Sequence, residues 1–172
     1  MIRVYRKKVR VPDNLVARLR QRAICTGGQV FNPDDRRLQA PLRTDSPIVM
    51  AVRDVLDRRR LLARRRVGGA VVMHSTDGCK QQQWHTDYDP KVVPQSTTKP
   101  MGVIVALEDD TRFLTPDRTY RLDKGDVLCF SGDVVHAGSA YARHNTRIHV
   151  YLDVDRVQRP RNKTWLVDDE DE

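Results

Sequence analysis

No run of apolar residues in this 172-residue chain approaches the roughly 18 that a bilayer crossing needs. The sequence therefore reads as that of a soluble protein with no membrane partner. Cysteine is scarce. Cys25, Cys79 and Cys129 are odd in number, widely spaced and form no CxxC pair, which excludes a disulfide framework and points to a reducing compartment. The basic stretch 1–10 is not followed by an apolar segment, so no signal peptide is expected. The expected location is intracellular, cytoplasmic or nuclear. No internal repeat is visible, and no RNA-reading motif, CoA-type phosphate loop or peptide-groove signature stands out.

The chain is 39% hydrophobic and 31% charged, and its length suits one domain with a real core. The net charge of +8 is unevenly placed. Residues 1–66 carry 18 Lys and Arg against 6 Asp, whereas residues 67–172 carry 13 against 17 Asp and Glu. Five of those acids form the terminal run Asp168-Asp169-Glu170-Asp171-Glu172. Any acidic partner, nucleic acid included, would therefore engage the N-terminal segment. Arginine outnumbers lysine 24 to 7, a bias that suits bidentate phosphate contact but also follows from a GC-rich genome.

Hydrophobic periodicity divides the chain into two halves. Residues 2–11 alternate and are β-prone. Pro12-Asp13-Asn14 opens a helix on which Leu15, Val16, Leu19 and Ala23 recur, and Gly27-Gly28 closes it. Residues 29–45 read as a loop with a turn at Asn32-Pro33-Asp34-Asp35. Ser46-Pro47 starts a second helix, with Ile48, Val52, Val55, Leu56, Leu62 and Ala63 on one face. Arg58-Arg59-Arg60 and Arg64-Arg65-Arg66 lie toward its end, where cations suit the dipole, and Gly68-Gly69 ends it. Short β-prone runs follow at 70–74, 84–88, 101–107, 112–115, 119–122, 127–130, 134–137 and 147–153. So many short strands predict a sandwich, jelly roll or barrel. The expected organisation is a single domain over 1–172: a basic, helical support segment (1–66), a β core (67–155) and an extension with an acidic tail (156–172).

One constellation carries chemistry. Gln83-Trp84-His85-Thr86-Asp87-Tyr88 holds a His-x-Asp, and residues i and i+2 of a strand share a face. His136 follows 49 residues after Asp87, within Gly132-Asp133-Val134-Val135-His136-Ala137-Gly138. Two imidazoles and one carboxylate are the donor set of a facial triad for non-haem Fe(II). Arg147 lies 11 residues beyond His136, where a guanidinium could clamp a remote carboxylate.

This pattern resembles the Fe(II)/2-oxoglutarate-dependent dioxygenases, in particular the prolyl hydroxylase and phytanoyl-CoA dioxygenase branches. The resemblance rests on His85-x-Asp87, His136 and Arg147, with Gly125-Asp126-Val127-Leu128-Cys129-Phe130 before the distal histidine, and it spans residues 67–155. It implies a mainly β protein with N-terminal helices, built as a double-stranded β-helix (jelly-roll, cupin-like). It implies Fe(II) on His85, Asp87 and His136, 2-oxoglutarate as cosubstrate on Arg147, and O₂. The implied reaction is hydroxylation of an unidentified prime substrate, a protein, nucleic acid or small molecule, with release of succinate and CO₂. The sequence departs from the pattern at His149, where some members place Ser or Thr two residues after the arginine.

Two competing readings use the same residues. A cupin-like metalloprotein would use the metal set without 2-oxoglutarate. A nucleic-acid-binding module would work through the basic N-terminal half, although a solvated helix face explains the arginine triplets more simply. His74, His144 and His149 read as non-ligands, Trp84 and Tyr88 as core or pocket aromatics, and Cys129 as a buried small hydrophobe.

Overall fold

A computed structural model describes residues 1–30, 36–157, 159 and 163–167. The turn expected at 32–35 and the acidic tail lie outside these residues. Twelve strands and two α-helices run in the order β1 (Ile2–Tyr5), α1 (Asp13–Thr26), β2 (Gly28–Gln29), β3 (Arg37–Leu42), α2 (Pro47–Arg58), β4 (Arg66–Ser75) and β5 (His85–Thr86), then β6 (Met101–Ala106), β7 (Thr111–Thr115), β8 (Arg118–Leu122), β9 (Val127–Ser131), β10 (Ala137–Gly138), β11 (Asn145–Asp153) and β12 (Trp165–Leu166). Among the described residues no helix is long and apolar enough to cross a membrane.

A seven-stranded sheet has the order β1-β9-β6-β11-β4-β3-β2, and every described pairing in it is antiparallel. Facing it are β10-β7-β8 and β12-β5. An antiparallel bridge between His85 and His136 joins these two smaller sheets into one layer. Two facing antiparallel layers with crossing connections form the expected double-stranded β-helix.

The large sheet is buried on both faces, and strand alternation assigns each residue to one of them. On one face Val72, Met101, Val103, Val105, Val127, Cys129, Ile148, Val150 and Leu152 pack with residues of α1 and α2. On the other, Ile104, Ala106, Leu128 and Phe130 meet Phe113 and Leu122 from the small sheet. Cys129 is fully buried, and that burial pushes its thiol up to about 12.

Two expectations are corrected here. Residues 29–45 are not simply a loop, because β3 pairs with β4 from Arg37↔Ser75 to Leu42↔Ala70. Pro41 masked this strand. It is tolerated because β2 covers β3 only at Leu38 and Gln39, so the missing N–H falls on an open edge. The second helix does not run to Gly68-Gly69 either. It ends at Arg58, and Arg60 and Arg64 take positive φ (58° and 60°) in the turns that follow. The left-handed turn at Arg60 stops the helix before the apolar spacing does. Gly68 and Gly69 instead lie within β4, where a Cβ on Gly68 would sit 2.0 Å from Asp153 Oδ2. Residues 1–66 thus supply three strands as well as two helices. Arg58, Arg59 and Arg60 are exposed, while Arg65 donates to the carbonyls of Lys99 and Leu61.

Asp126 ties the start of β9 to the end of β1. Its buried carboxylate accepts from the backbone N–H of Lys7 (2.7 Å) and Asp123 (2.9 Å). Burial opposes its ionisation, but these N–H groups and Arg6 outweigh it and hold the carboxyl below the usual carboxylate range. Its stabilising contribution is therefore complete above the ordinary carboxylate pKa and is lost as pH falls through the lower folded value. Asp126→Ala should cost about 2–3 kcal/mol by stranding two donors. Thermal melts of both proteins at neutral pH and at pH 3 check this: the difference should shrink in acid, and equal melting temperatures at neutral pH would refute it.

Candidate metal centre

His85 and His136 stand directly opposite each other on neighbouring strands. Each backbone N–H donates to the other's carbonyl, at 3.0 and 2.9 Å. Their side chains therefore leave the layer on the same side, with ring centroids 4.4 Å apart. Asp87, two residues past His85, joins them. Their ligand atoms lie within 4.8 Å of one another, and all three residues are buried.

The hydrogen bonds prepare these groups for a cation. His85 Nδ1 lies 2.8 Å from the Gln83 carbonyl and His136 Nδ1 lies 2.9 Å from that of Val134. A carbonyl only accepts, so both rings carry the proton on Nδ1 and keep the lone pair on Nε2. Burial, reinforced by the neighbouring His136, lowers His85 to about 3. Burial also lowers His136, against the pull of Asp87. At Asp87 burial opposes ionisation, but His149 and His136 outweigh it and keep the carboxyl far below the usual range. Two neutral imidazoles and an ionised carboxylate are the protonation state that a divalent metal requires. Among the described residues Asp87 Oδ2 is buried without a hydrogen-bond partner, as expected of an atom that could face a cation. The donor set fits such an ion.

An aromatic wall shields the centre. Phe113 stacks on His136 at 4.9 Å and Phe130 meets it edge-on at 4.8 Å. Phe130 in turn lies over Gly102, where a Cβ would fall 2.1 Å from the ring. Gly102→Ala should therefore drive Phe130 toward His136 and cost about 1–3 kcal/mol. Denaturant unfolding checks this; an unchanged midpoint would show that the ring can move away freely.

The strand β11 supplies the opposite wall. Arg147, His149, Tyr151 and Asp153 alternate along it and line one cavity of about 830 Å³ with His85, Asp87 and His136. Arg147 is 3% exposed and donates from Nη1 to Ser75 Oγ at 3.1 Å. Among the described residues no carboxylate lies within ion-pairing distance of it.

This chain has the fold of the Fe(II)/2-oxoglutarate-dependent oxygenases. Solved structures of that class superpose over most of its length. The viral collagen prolyl hydroxylase of Paramecium bursaria Chlorella virus-1, in its 2-oxoglutarate complex, is 14% identical with a TM-score of 0.63, covering 89% of this chain and 96% of its own. HygX from Streptomyces hygroscopicus, with nickel and 2-oxoglutarate bound, is 12% identical with a TM-score of 0.60, over 90% of this chain and 83% of its own. The carbocyclase SnoK of nogalamycin biosynthesis, an alpha-ketoglutarate-dependent non-haem protein, is 12% identical with a TM-score of 0.66, over 92% and 81%. No family profile and no curated protein matches the sequence.

Within this oxygenase fold, residues outside the sequence pattern also reach the site. Arg159 lies 4.0 Å above the Tyr151 ring, and Arg112, Phe113 and Gln82 line the cavity. Only the alternation Arg147-x-His149-x-Tyr151-x-Asp153 could have revealed part of this set in advance. Tyr88 is fully buried, does not line the cavity and donates to Asp153 Oδ1 at 3.0 Å. Trp84 is half-buried and does not line the cavity. His74 packs beside Thr146 Oγ1 at 3.1 Å, and His144 is exposed; among the described residues neither joins the metal set. His149, by contrast, lies inside the cavity, with Nε2 3.1 Å from Asp87 Oδ2.

Proposed function

We propose that the protein is a non-haem Fe(II)- and 2-oxoglutarate-dependent dioxygenase that hydroxylates a second substrate and releases succinate and CO₂. The observation that carries this reading is Arg147. A guanidinium that is 3% exposed, with no carboxylate partner among the described residues, faces the same cavity as the His85, Asp87 and His136 set. A buried cation without a counter-charge is costly, so the cavity is built to receive an anion beside the metal. The 2-oxoglutarate bound by the viral prolyl hydroxylase and by HygX supports that identity for the anion.

His85, Asp87 and His136 would hold the iron, which when bound supplies O₂ activation coupled to oxidative decarboxylation of 2-oxoglutarate. The chain's own residues prepare that chemistry. The carbonyls of Gln83 and Val134 hold the two rings with Nε2 as the lone-pair nitrogen. Arg147 takes the distal carboxylate in a bidentate fork, oriented by Ser75. Phe113 and Phe130 exclude water around His136. Gln39, Pro41, Leu42 and Val71 line the same cavity and offer a wall for the prime substrate.

The test is succinate formation from 2-oxoglutarate in air, with Fe(II) and without prime substrate. Slow, iron-dependent uncoupled turnover is the expected result, with faster turnover when a prime substrate is found in a panel. Metal binding with no 2-oxoglutarate binding would instead leave a cupin-like metalloprotein.

A further inference from the structure

His149 occupies the position where some proteins with the resembling pattern carry a hydroxyl side chain. It is 4% exposed and sits on β11 between Arg147 and Tyr151. Its ring packs, tilted, against Tyr151 at 4.2 Å and approaches Phe130 at 5.8 Å, so neighbouring rings restrict its plane. Its cross-strand neighbours are Val71 and Ile104, which offer no side-chain acceptor. The polar atom within reach of Nε2 is Asp87 Oδ2, at 3.1 Å. The two atoms are not aligned as a hydrogen bond, and each is buried with no other hydrogen-bond partner among the described residues. Two adjacent orphans of this kind carry a large desolvation penalty that a modest carboxylate rotation would remove.

His149 is not placed as a fourth ligand. Among the described residues the atoms mutually within 4.8 Å belong to His85, Asp87 and His136 alone. An ionised carboxylate only accepts, so a productive contact requires the proton on Nε2 of His149, the tautomer opposite to that of the two ligand histidines.

We propose that His149 is a positioning residue, donating its Nε2–H to Asp87 and fixing the rotation of the metal-binding carboxylate. The inference rests on the metal-centre reading given above. Its consequence is a division of labour along β11, in which Arg147 receives the cosubstrate and His149 orients a metal ligand from the same face of the strand.

Two measurements test it. The first is Mn(II) affinity by titration calorimetry on wild type, His149→Phe and His149→Gln, with thermal melts of the metal-free proteins. His149→Phe should weaken Mn(II) binding about 10–100-fold. His149→Gln, whose amide N–H₂ reaches nearly as far as Nε2, should recover most of the loss. The metal-free melting temperatures should stay within a few degrees, which a merely structural histidine would not predict. The second needs no variant. Nitrogen-15 histidine spectra of the Zn(II)-loaded wild type should show His149 protonated on Nε2, with His85 and His136 protonated on Nδ1. Unchanged Mn(II) affinity in His149→Phe, a His149 proton on Nδ1, or a third metal-bound imidazole would each overturn the proposal. Failure of the wild type to bind Mn(II) or Zn(II) would instead overturn the metal-centre reading itself.

Discussion

Arg147→Ala should raise the 2-oxoglutarate concentration needed for half-maximal succinate formation by at least about a hundredfold. Arg147 lies two residues from His149 on the cavity face of β11, 3% exposed, with Ser75 Oγ at 3.1 Å. A dicarboxylate held at the metal by one end leaves its other carboxylate in this poorly solvated wall. Removing the guanidinium would strand that charge, at a cost of about 3–5 kcal/mol. Since each 1.4 kcal/mol is roughly tenfold, a hundredfold effect is the lower bound. Metal affinity should hardly change, because the Nε2 atoms of His85 and His136 and the Asp87 carboxylate are untouched. Arg147→Lys should recover only part of the loss, keeping the charge but not the fork. Succinate assays and calorimetric 2-oxoglutarate titrations on both variants are the check. Wild-type affinity in Arg147→Ala would place the anion elsewhere in the cavity.

The second large effect concerns the metal set. One Fe(II) per chain should bind wild type, and Mn(II) or Ni(II) should replace it without turnover. His136→Ala should abolish both stoichiometric binding and succinate formation. It removes one of three donors and leaves a void between Phe113 and Phe130, which pack on the ring at 4.9 and 4.8 Å. Asp87→Asn should weaken binding to a similar degree while preserving shape, because it deletes the only anionic donor of the set. The pair separates charge from packing. Metal titration followed by iron-dependent turnover decides it, and retained binding in both variants would remove these residues from the centre.

Much of this architecture was legible without coordinates because its signals are local. Short β-prone runs at 101–107, 127–130 and 147–153 named β6, β9 and β11, and an apolar spacing closed by glycine bounded α1. His85-x-Asp87 announced a shared face because the side-chain period of a strand is two. The signals failed where a local rule was overridden. Residues 29–45 read as a loop, yet β3 forms there because β4 offers it a partner and β2 leaves the side of Pro41 open. Apolar spacing extended α2 through Leu62 and Ala63, yet the backbone turns at Arg60 and Arg64, and Leu61 is buried from within a turn. Gly68-Gly69 looked like a helix stop but sits inside β4, where Gly68 makes room for the Asp153 side chain.

What the sequence by itself determined is therefore the β class of the core and the shared face of His85 and Asp87, both written at separations of a few residues. What only the tertiary structure decided is who meets whom across long separations. The bridge that sets His136 opposite His85, the contact of His149 with Asp87 and the placement of Arg147 against Ser75 all depend on strand pairing and register. Register is a property of two strands at once. A one-residue slip of β11 would turn Arg147 and His149 toward the helices and Ile148 toward the cavity.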